Sequence, residues 1–345
     1  MEKRNIRGLF PEELETAMQE LGEPKFRAKQ IFQWTQRGAA SFDEMTNLSA
    51  ALRAKLSDKF SLTAPKCIEK RESTDGTIKY LWQLADGNTI ETVLMRYRHG
   101  NTVCISTQVG CRMGCTFCAS TIGGLVRNLD AGEMLEEVIC TAKDAGEKIS
   151  NIVLMGIGEP LDNYDEVLRF LKLVNHPDGC NIGMRHITLS TCGLIEEIDK
   201  LASNKLQLTL SVSLHAPDDE TRNQIMPISR KSSVRELLEA SARYYKETGR
   251  RVSFEYAMID GVNDSKAHAK KLAERIKEIG GHVNLIPLNP IAERTLGASA
   301  KEKLEVFEQT LKQAGINVTL RRSLGEDIDA ACGQLRRRKE SEGSE

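Results

Sequence analysis

Residues 102–118 read TVCISTQVGCRMGCTFC, an apolar run that leads directly into three closely spaced cysteines. Thr102–Val109 is rich in β-branched residues, which suit the pleated geometry of a strand. Cys111, Cys115 and Cys118 follow at intervals of four and three positions, so their side chains can meet on one loop. The stretch predicts a strand that ends in a thiol-rich loop.

After residue 100, apolar runs alternate with amphipathic helical patterns along the chain. Such alternation is typical of βαβ units in a parallel sheet. The predicted strands are Thr102–Val109, Asn151–Gly156, His186–Ser190, Leu206–Leu214, Val252–Met258 and Val283–Leu288, with helices near 130–145, 163–175, 194–203, 233–248, 265–279 and 301–314.

Polar or glycine-containing segments follow nearly every predicted strand, as in Gly156–Pro160, Ser190–Gly193 and Ser213–Pro217. Barrel enzymes build their sites from the loops at the carboxyl ends of the strands. An open doubly wound sheet, the other fold considered, concentrates ligand contacts at one switch point. We therefore predict an α/β fold with a partial (β/α)6 TIM-like barrel.

The first part of the chain has a different pattern. Helical periodicity covers Pro11–Leu21 and Ala28–Gln36, and Asp86-Gly87 is a typical hairpin turn between the apolar runs Ile78–Leu84 and Thr89–Tyr97. We predict a small accessory region that is helical and then a hairpin (1–98), a barrel that includes a C-terminal cysteine loop (99–335) and a polar tail (336–345).

The composition is that of an ordinary globular chain, with 345 residues, 40% hydrophobic content and a net charge of −1. That balance argues against binding nucleic acid through bulk charge alone. Basic clusters at Lys25–Lys29, Arg321-Arg322 and Arg336–Lys339 are by themselves more often solvated surface. Because no apolar segment is long enough for a membrane span or a signal core, we expect a cytoplasmic protein without membrane contact.

The three clustered cysteines indicate a metal site. Nine cysteines, an odd number, argue against a disulfide framework in such a chain. Thiolates select zinc, copper(I) or iron–sulfur clusters. Structural zinc is normally closed by four ligands, and no nearby residue supplies a fourth at the usual spacing. Three cysteines on a [4Fe-4S] cluster would leave one iron open to a ligand, although a distorted zinc knuckle remains an alternative.

Other candidate ligand contacts stand at predicted strand ends. The glycines of Gly156-Ile157-Gly158-Glu159 allow close approach of a ligand to the backbone, and Glu159 could accept hydrogen bonds from an ammonium group. Taken singly, each such residue is explained equally well by a turn or a cap. The candidates are Gly158, Glu159, Ser190, Ser213, Leu214, His215 and Asn289.

The spacing of Cys111, Cys115 and Cys118, with an aromatic residue at position 117, resembles the signature of the radical S-adenosylmethionine (SAM) superfamily. This resemblance implies a [4Fe-4S] cluster whose open iron binds the amino and carboxylate groups of SAM. It also implies that Glu159 and the other strand-end candidates contact SAM.

Motifs along nearly the whole chain resemble the RlmN-type adenine-C2 RNA methyltransferases. One departure is mild: Ile157 stands where methionine is frequent. The motifs are Gly22–Gln30, Ile90–Val93, Cys111–Cys118, Arg127–Leu129, Gly156–Pro160, Ser213–Pro217, Met226-Pro227, Gly261–Asp264, Asn284–Pro287 and Asp327–Leu335.

This second resemblance implies roles for three further residues. Cys332 would carry a methyl group taken from one SAM, and a second SAM would start the radical transfer to carbon 2. Cys104 would release the product from a covalent RNA adduct and leave a Cys104–Cys332 disulfide, which must be reduced. Glu91 would accept the proton from carbon 2; without the resemblance, a surface glutamate on a hairpin is the simpler interpretation.

The implied partners are 23S rRNA at the peptidyl-transferase centre, tRNAs at the adenosine 3′ to the anticodon, and an electron donor such as flavodoxin or ferredoxin. We expect a monomer, with the accessory region as the RNA-docking surface. Three alternatives stay open at this point: a Cfr-type enzyme that methylates carbon 8, a non-catalytic metal-dependent RNA-binding protein, and a radical enzyme acting on a small molecule, which gives no reason for Cys104 and Cys332.

Overall fold

The computed structural model describes residues 3–291, 293–322, 324–328 and 333–342. The strands are β1 (Arg4–Asn5), β2 (Phe60–Ser61), β3 (Lys66–Glu72), β4 (Ile78–Gln83), β5 (Thr89–Tyr97), β6 (Gly100–Cys104), β7 (Gln108–Gly110), β8 (Leu125–Asn128), β9 (Ile149–Leu154), β10 (Ile187–Thr191), β11 (Thr209–Ser213), β12 (Val252–Met258), β13 (His282–Pro287) and β14 (Asn317–Leu320). The helices are α1 (Pro11–Glu20), α2 (Phe26–Gln36), α3 (Ala50–Lys59), α4 (Ala131–Ala145), α5 (Tyr164–Val174), α6 (Ile195–Ser203), α7 (Asp219–Ile225), α8 (Val234–Thr248), α9 (Lys266–Lys277), α10 (Lys301–Gln313) and α11 (Gln334–Glu342).

A sheet of ten strands in the order β14-β13-β12-β11-β10-β9-β6-β5-β4-β3 organises the molecule. From β6 through β9 to β14 the neighbouring strands are parallel, and helices connect them. The strands β3 to β6 form an antiparallel meander that continues the same sheet. The α/β class and the parallel strand–helix succession expected of a partial barrel are confirmed.

The core lies between the parallel sheet and its helices. Every residue of β12 is buried, and the helices turn leucine, valine and phenylalanine side chains toward the sheet. Two long helices, α4 and α8, begin with a capping box, in which Asp130 and Glu133, or Ser233 and Glu236, satisfy the first backbone N–H groups. The apolar periodicity and these caps explain why the predicted helix positions agree closely with the structure.

The amino-terminal helices pack against the barrel through a buried ion pair. The Nε of Arg7 donates to Glu136 of α4 at 3.0 Å, and both side chains are almost fully inaccessible. The same guanidinium donates to the carbonyl oxygens of Thr35 and Ala39, so its donors are shared between α4 and the end of α2. This contact fixes the helices of residues 11–59 to the barrel.

The predicted strand Thr102–Val109 is divided in the structure. β6 ends at Cys104, and residues 108–110 leave the sheet to pair with β8 in a two-stranded antiparallel ribbon. The break has a side-chain cause, because the buried carboxyl of Glu137 accepts the backbone N–H of Ser106. β3 was not predicted as a strand since its sequence KCIEKRE lacks an apolar run.

Candidate active site

A cavity of about 340 Å³ opens at the carboxyl ends of the parallel strands. Most of the predicted site residues line it, although they come from distant parts of the sequence. The predicted residues in its wall are Cys104, Cys111, Cys115, Cys118, Gly158, Glu159, Ser190, Ser213, His215 and Asn289. Leu214 is fully buried and is not part of the wall, and Glu91 also lies outside it.

The cysteine loop is held in place by the ribbon before it. The backbone N–H of Cys111 donates to the carbonyl oxygen of Gly124 at 3.0 Å. Gly110 has a φ of +78°, and a Cβ at this position would lie 2.0 Å from the same oxygen. Only glycine fits this close approach. The turn therefore delivers Cys111 to the cavity.

The three thiols face the same cavity and lie close enough to influence one another. Burial, together with the nearby Cys118 and Glu159, raises the pKa of the Cys111 thiol to about 12. Burial and the other two cysteines also raise the pKa of Cys115. Buried thiolates without a cation repel one another, so a positively charged group between them would stabilise the thiolate form.

This donor set fits an iron–sulfur cluster better than a single ion. Among the residues that the structure describes, no group of three or more His, Cys, Asp or Glu side chains is placed to hold one metal ion. A cluster takes each thiolate on a different iron, so its ligands need not converge on one point. Cys111, Cys115 and Cys118 would hold such a cluster, with no fourth protein ligand in the loop.

Glu159 is buried at the start of the loop after β9. Its Oε1 accepts the N–H of Leu161 at 3.0 Å and its Oε2 accepts the N–H of Cys192 at 2.7 Å. Each carboxylate oxygen has a second lone pair, so Glu159 can still accept a hydrogen bond from a ligand in the cavity. Cys192 lines the same wall, and its thiol also hydrogen-bonds to the Glu159 carboxylate.

Sequence reasoning missed Arg222, a buried arginine on α7. Its Nε donates to the carbonyl of Leu214 at 3.1 Å, and its Nη2 donates to the carbonyls of Cys192 and Ser213 at 2.6 and 3.1 Å. One guanidinium thus joins the loops after β10 and β11. No motif marks it, because an arginine on a short helix is ordinarily solvated.

His215 follows β11 in a left-handed backbone conformation with a φ of +56°. Its Nδ1 accepts the N–H of Ala257 at 2.9 Å, and its ring meets Phe117 edge to face at 4.9 Å. Burial, with a smaller contribution from Arg222, lowers the pKa of His215 to about 3. The ring is therefore neutral, carries its proton on Nε2, and can donate a hydrogen bond to a ligand.

Glu255 on β12 is a second site residue that the sequence did not reveal. It is buried in the cavity wall, where its Oε1 accepts from Ser211 at 2.5 Å and from Asn284 at 3.0 Å. Its Oε2 has no hydrogen-bond partner among the described residues. The sequence feature that could have identified Glu255 is a carboxylate within an otherwise largely apolar strand, since a buried carboxylate needs a polar partner.

Cys104 stands on β6 beside a small apolar cluster. This cluster consists of Val93, Met95 and Cys104, packed against Val153, Met155 and Leu324, and we call it the apolar wall. Four of its members, Val93, Met95, Met155 and Leu324, line the cavity together with Cys104. The Cys104 thiol therefore faces the cavity from a nonpolar side.

Glu91 is buried rather than exposed on the hairpin. Its carboxylate lies 3.0 Å from the Nζ of the fully buried Lys79. It accepts the N–H of Gly333 and the N–H of Arg336, each at 2.7 Å. Glu91 thus caps the amino end of α11, a position favourable for an anion.

Cys332, the predicted methyl carrier, falls outside the residues that the structure describes. The next residue, Gly333, lies against the cysteine loop, since a Cβ on Gly333 would come within 2.8 Å of the Ser120 backbone nitrogen. Ser120 is two positions after Cys118. The described end of the C-terminal segment is therefore adjacent to the candidate cluster ligands.

Two family descriptions match the chain. Residues 105–288 match the radical SAM superfamily, which covers more than half of the chain. Residues 4–62 match the ribosomal RNA large subunit methyltransferase N-terminal domain. In the part of the chain that the structure describes, no helix is both long and apolar enough to cross a membrane.

Similar proteins extend the match to almost the full length. The chain is 53% identical to a probable dual-specificity RNA methyltransferase RlmN from Alkaliphilus metalliredigens, over 98% of this chain and 96% of that one. It is 54% identical to the protein of that description from Alkaliphilus oremlandii, over 98% and 99% of the two chains. A radical SAM methyltransferase structure from Sphaerobacter thermophilus superposes with a TM-score of 0.92 at 46% identity, covering 96% of this chain and 98% of that chain. The chain belongs to the RlmN family of the radical SAM superfamily.

Proposed function

We propose that this protein methylates carbon 2 of adenosine in RNA, using a [4Fe-4S] cluster and two molecules of SAM per turnover. The observation that carries the proposal is the cavity itself, which brings the three loop cysteines, Cys104 and the strand-end polar groups to one place. The proposed substrates are the 23S rRNA adenosine near the peptidyl-transferase centre and the tRNA adenosine 3′ to the anticodon.

Cys111, Cys115 and Cys118 would hold the cluster. When bound, the cluster supplies the electron for reductive cleavage of SAM. The chain's own groups would position that SAM: Glu159 accepts from its ammonium, His215 donates from Nε2, and Ser190, Ser213 and Asn289 present hydroxyl and amide groups at strand ends. Gly158 and the backbone at Leu214 would allow close approach.

The methyl group would travel on the protein's own sulfur. The Cys332 thiolate would attack the methyl carbon of one SAM and become a thioether, with S-adenosylhomocysteine as the leaving group. The 5′-deoxyadenosyl radical released from the second SAM would take a hydrogen atom from the S-methyl group, and the resulting methylene carbon would bond to carbon 2 of the adenine. The odd electron would return to the cluster, and Glu91 would take the proton from carbon 2. Its place beside Gly333, one residue after Cys332, supports this role.

Release of the product would depend on Cys104. Its thiolate would attack the Cys332 sulfur and break the bond between that sulfur and the methylene carbon. The carbon takes one proton to become the methyl group of the departing base, and a Cys104–Cys332 disulfide remains. Two electrons from a flavodoxin- or ferredoxin-type donor would restore both thiols for the next turnover. The apolar setting of Cys104 shields this sulfur from bulk solvent.

The test uses anaerobically reconstituted protein, RNA and a reductant. We expect about four iron and four sulfide per chain, and 2-methyladenosine as the product by mass spectrometry. Cys332→Ala should abolish methyl transfer, and Cys104→Ala should accumulate a covalent RNA–protein adduct. An 8-methyladenosine product, zinc in place of iron, or normal turnover by both cysteine variants would contradict the proposal.

A further inference from the structure

Arg321 and Arg322 continue the edge strand β14 into the rim of the cavity. The N–H of Arg321 donates to the carbonyl of Leu285 at 2.8 Å, which extends the pairing of β13 with β14 by one residue. Both arginines are exposed, and both line the cavity. The backbone is therefore anchored while the two guanidinium groups remain accessible from solvent.

Neither guanidinium forms an ion pair or a side-chain hydrogen bond with a described residue. The partners of the cavity's two carboxylates are other groups: Glu159 accepts two backbone N–H groups, and the Oε1 of Glu255 accepts from Ser211 and Asn284. By contrast, Arg112 at the cysteine loop is paired with Asp162. Arg321 and Arg322 are thus the cations of the described cavity lining that are available for an anion.

The same side of the cavity carries the apolar wall. Leu324, two residues after Arg322, packs against the cluster of this wall that contains Met95 and Cys104. Methionine side chains adapt to flat, polarisable surfaces. A ligand that meets this face would therefore have a planar, weakly polar part against the wall and an anionic part at the two arginines.

The arginines lie at the edge of the sheet, beside one candidate SAM contact, Asn289 after β13, and away from those that follow β9 and β10. Glu159 follows β9 and Ser190 ends β10, both in the middle of the sheet, whereas β14 is its edge. Leu324, two residues after Arg322, instead packs against the apolar wall that contains Cys104, where the acceptor would react. A nucleotide pulled out of an RNA stack has the matching chemistry, with a base plane and flanking phosphates.

We propose that Arg321 and Arg322 bind the phosphates that flank the target adenosine, and that the adenine ring lies against the apolar wall beside Cys104. This inference rests on the proposed function, since it assigns the binding place of the same RNA. The two arginines are then positioning residues for the acceptor, and the affinity they contribute depends on ionic strength.

The test compares two adjacent arginine pairs in the holoenzyme. Arg321→Gln/Arg322→Gln removes the two charges at the carboxyl end of β14. The control, Arg250→Gln/Arg251→Gln, removes two adjacent charges at the amino end of β12, on the opposite side of the sheet from the cavity mouth. The dissociation constant of an RNA hairpin with a single-stranded loop containing the target adenosine is measured over a range of salt concentrations. SAM affinity and iron content are measured in the same samples.

For the rim variant we expect weaker RNA binding and a log–log salt slope that is smaller by about 0.7 for each arginine. The control variant should keep the wild-type slope, and SAM affinity and iron content should not change in either. A wild-type slope in the rim variant, or a loss confined to SAM affinity, overturns the inference even if the wild type makes 2-methyladenosine. A wild type that neither binds nor methylates RNA overturns the proposed function as well.

Discussion

The carboxylate of Glu91 and the backbone N–H of Gly333 meet at 2.7 Å, although 242 residues separate them in the chain. A second hydrogen bond from the N–H of Arg336 makes Glu91 the anionic cap of α11. Because Lys79 lies 3.0 Å away on the neighbouring strand, the cap is part of a buried ion pair. The hairpin therefore holds the segment that follows Cys332 against the cavity.

Glu91→Gln should lower both stability and methyl transfer. The variant removes the charge facing Lys79 and weakens two hydrogen bonds to a charged acceptor, which contribute about 1.5–3 kcal/mol each before compensation. We expect the free energy of unfolding to fall by about 2–4 kcal/mol. Chemical unfolding and single-turnover methylation measure the two effects.

A double variant distinguishes the structural role of Glu91 from its proposed role as the proton acceptor. In Lys79→Met/Glu91→Gln both charges of the pair are removed together, so the double variant should be more stable than the sum of the single effects by about 1–3 kcal/mol. Methylation should stay low in the double variant and near normal in Lys79→Met. If methylation recovers together with stability, Glu91 has only a structural role.

Two aspartates tie the C-terminal segment to the turn between β3 and β4. The Oδ1 of Asp327 accepts from Ser73 at 2.5 Å, and the Oδ2 of Asp75 accepts the N–H of Gly325 at 2.9 Å. We expect Asp75→Ala/Asp327→Ala to reduce methyl transfer by about tenfold, which corresponds to about 1.4 kcal/mol in the barrier. Iron content should be unchanged, and a matched loss of iron would show that the effect is not local to this segment.

Gly110→Ala should prevent cluster assembly, because the new Cβ would clash with the Gly124 carbonyl that also accepts the Cys111 N–H. Gly123→Ala is the control: Gly123 also has a positive φ, of +90°, but nothing lies within 4 Å of its Cβ position. Both variants force an alanine into a positive φ, which costs about 1–2 kcal/mol of backbone strain in each. Iron analysis and the visible absorbance after reconstitution should show loss in Gly110→Ala alone.

Protonation of His215 should destabilise the protein as pH falls. Burial, aided by Arg222, lowers the folded-state pKa to about 3 from an ordinary value of 6.5, so the unfolded chain binds the extra proton first. The stabilisation is complete above pH 6.5 and is lost progressively toward pH 3. Between pH 6.5 and 5.5 the loss should be about 1 kcal/mol.

Unfolding titrations of wild type and His215→Gln measure this contribution. Between pH 6.5 and 5.5, the free energy of unfolding of His215→Gln should fall by about 1 kcal/mol less than that of the wild type. His186→Gln, which removes an exposed histidine bonded to Asn151, is the matched control substitution. Identical slopes for wild type and His215→Gln would mean that the ring is not held neutral by the fold.

The sequence alone determined the features that are carried by local pattern. The intervals between Cys111, Cys115 and Cys118 indicated a cluster site, and apolar periodicity located the parallel strands and their helices. Glycine and polar residues after the strands placed Glu159 and His215 at one end of a barrel. The strand and helix positions agree with the structure because periodicity depends on neighbouring residues, and the cluster site stays a prediction from the reach of one loop.

Only the tertiary structure decided which distant groups meet. It brought Lys79 and the N–H of Gly333 into contact with the Glu91 carboxylate. It also let Arg222 hydrogen-bond to the loops after β10 and β11, and it placed Arg321 at the cavity rim. No local pattern encodes these contacts, because they depend on the order and closure of the strands in the sheet. A buried charge is stable only where partners from other elements surround it, so the roles of these side chains became visible once the barrel had brought those elements together.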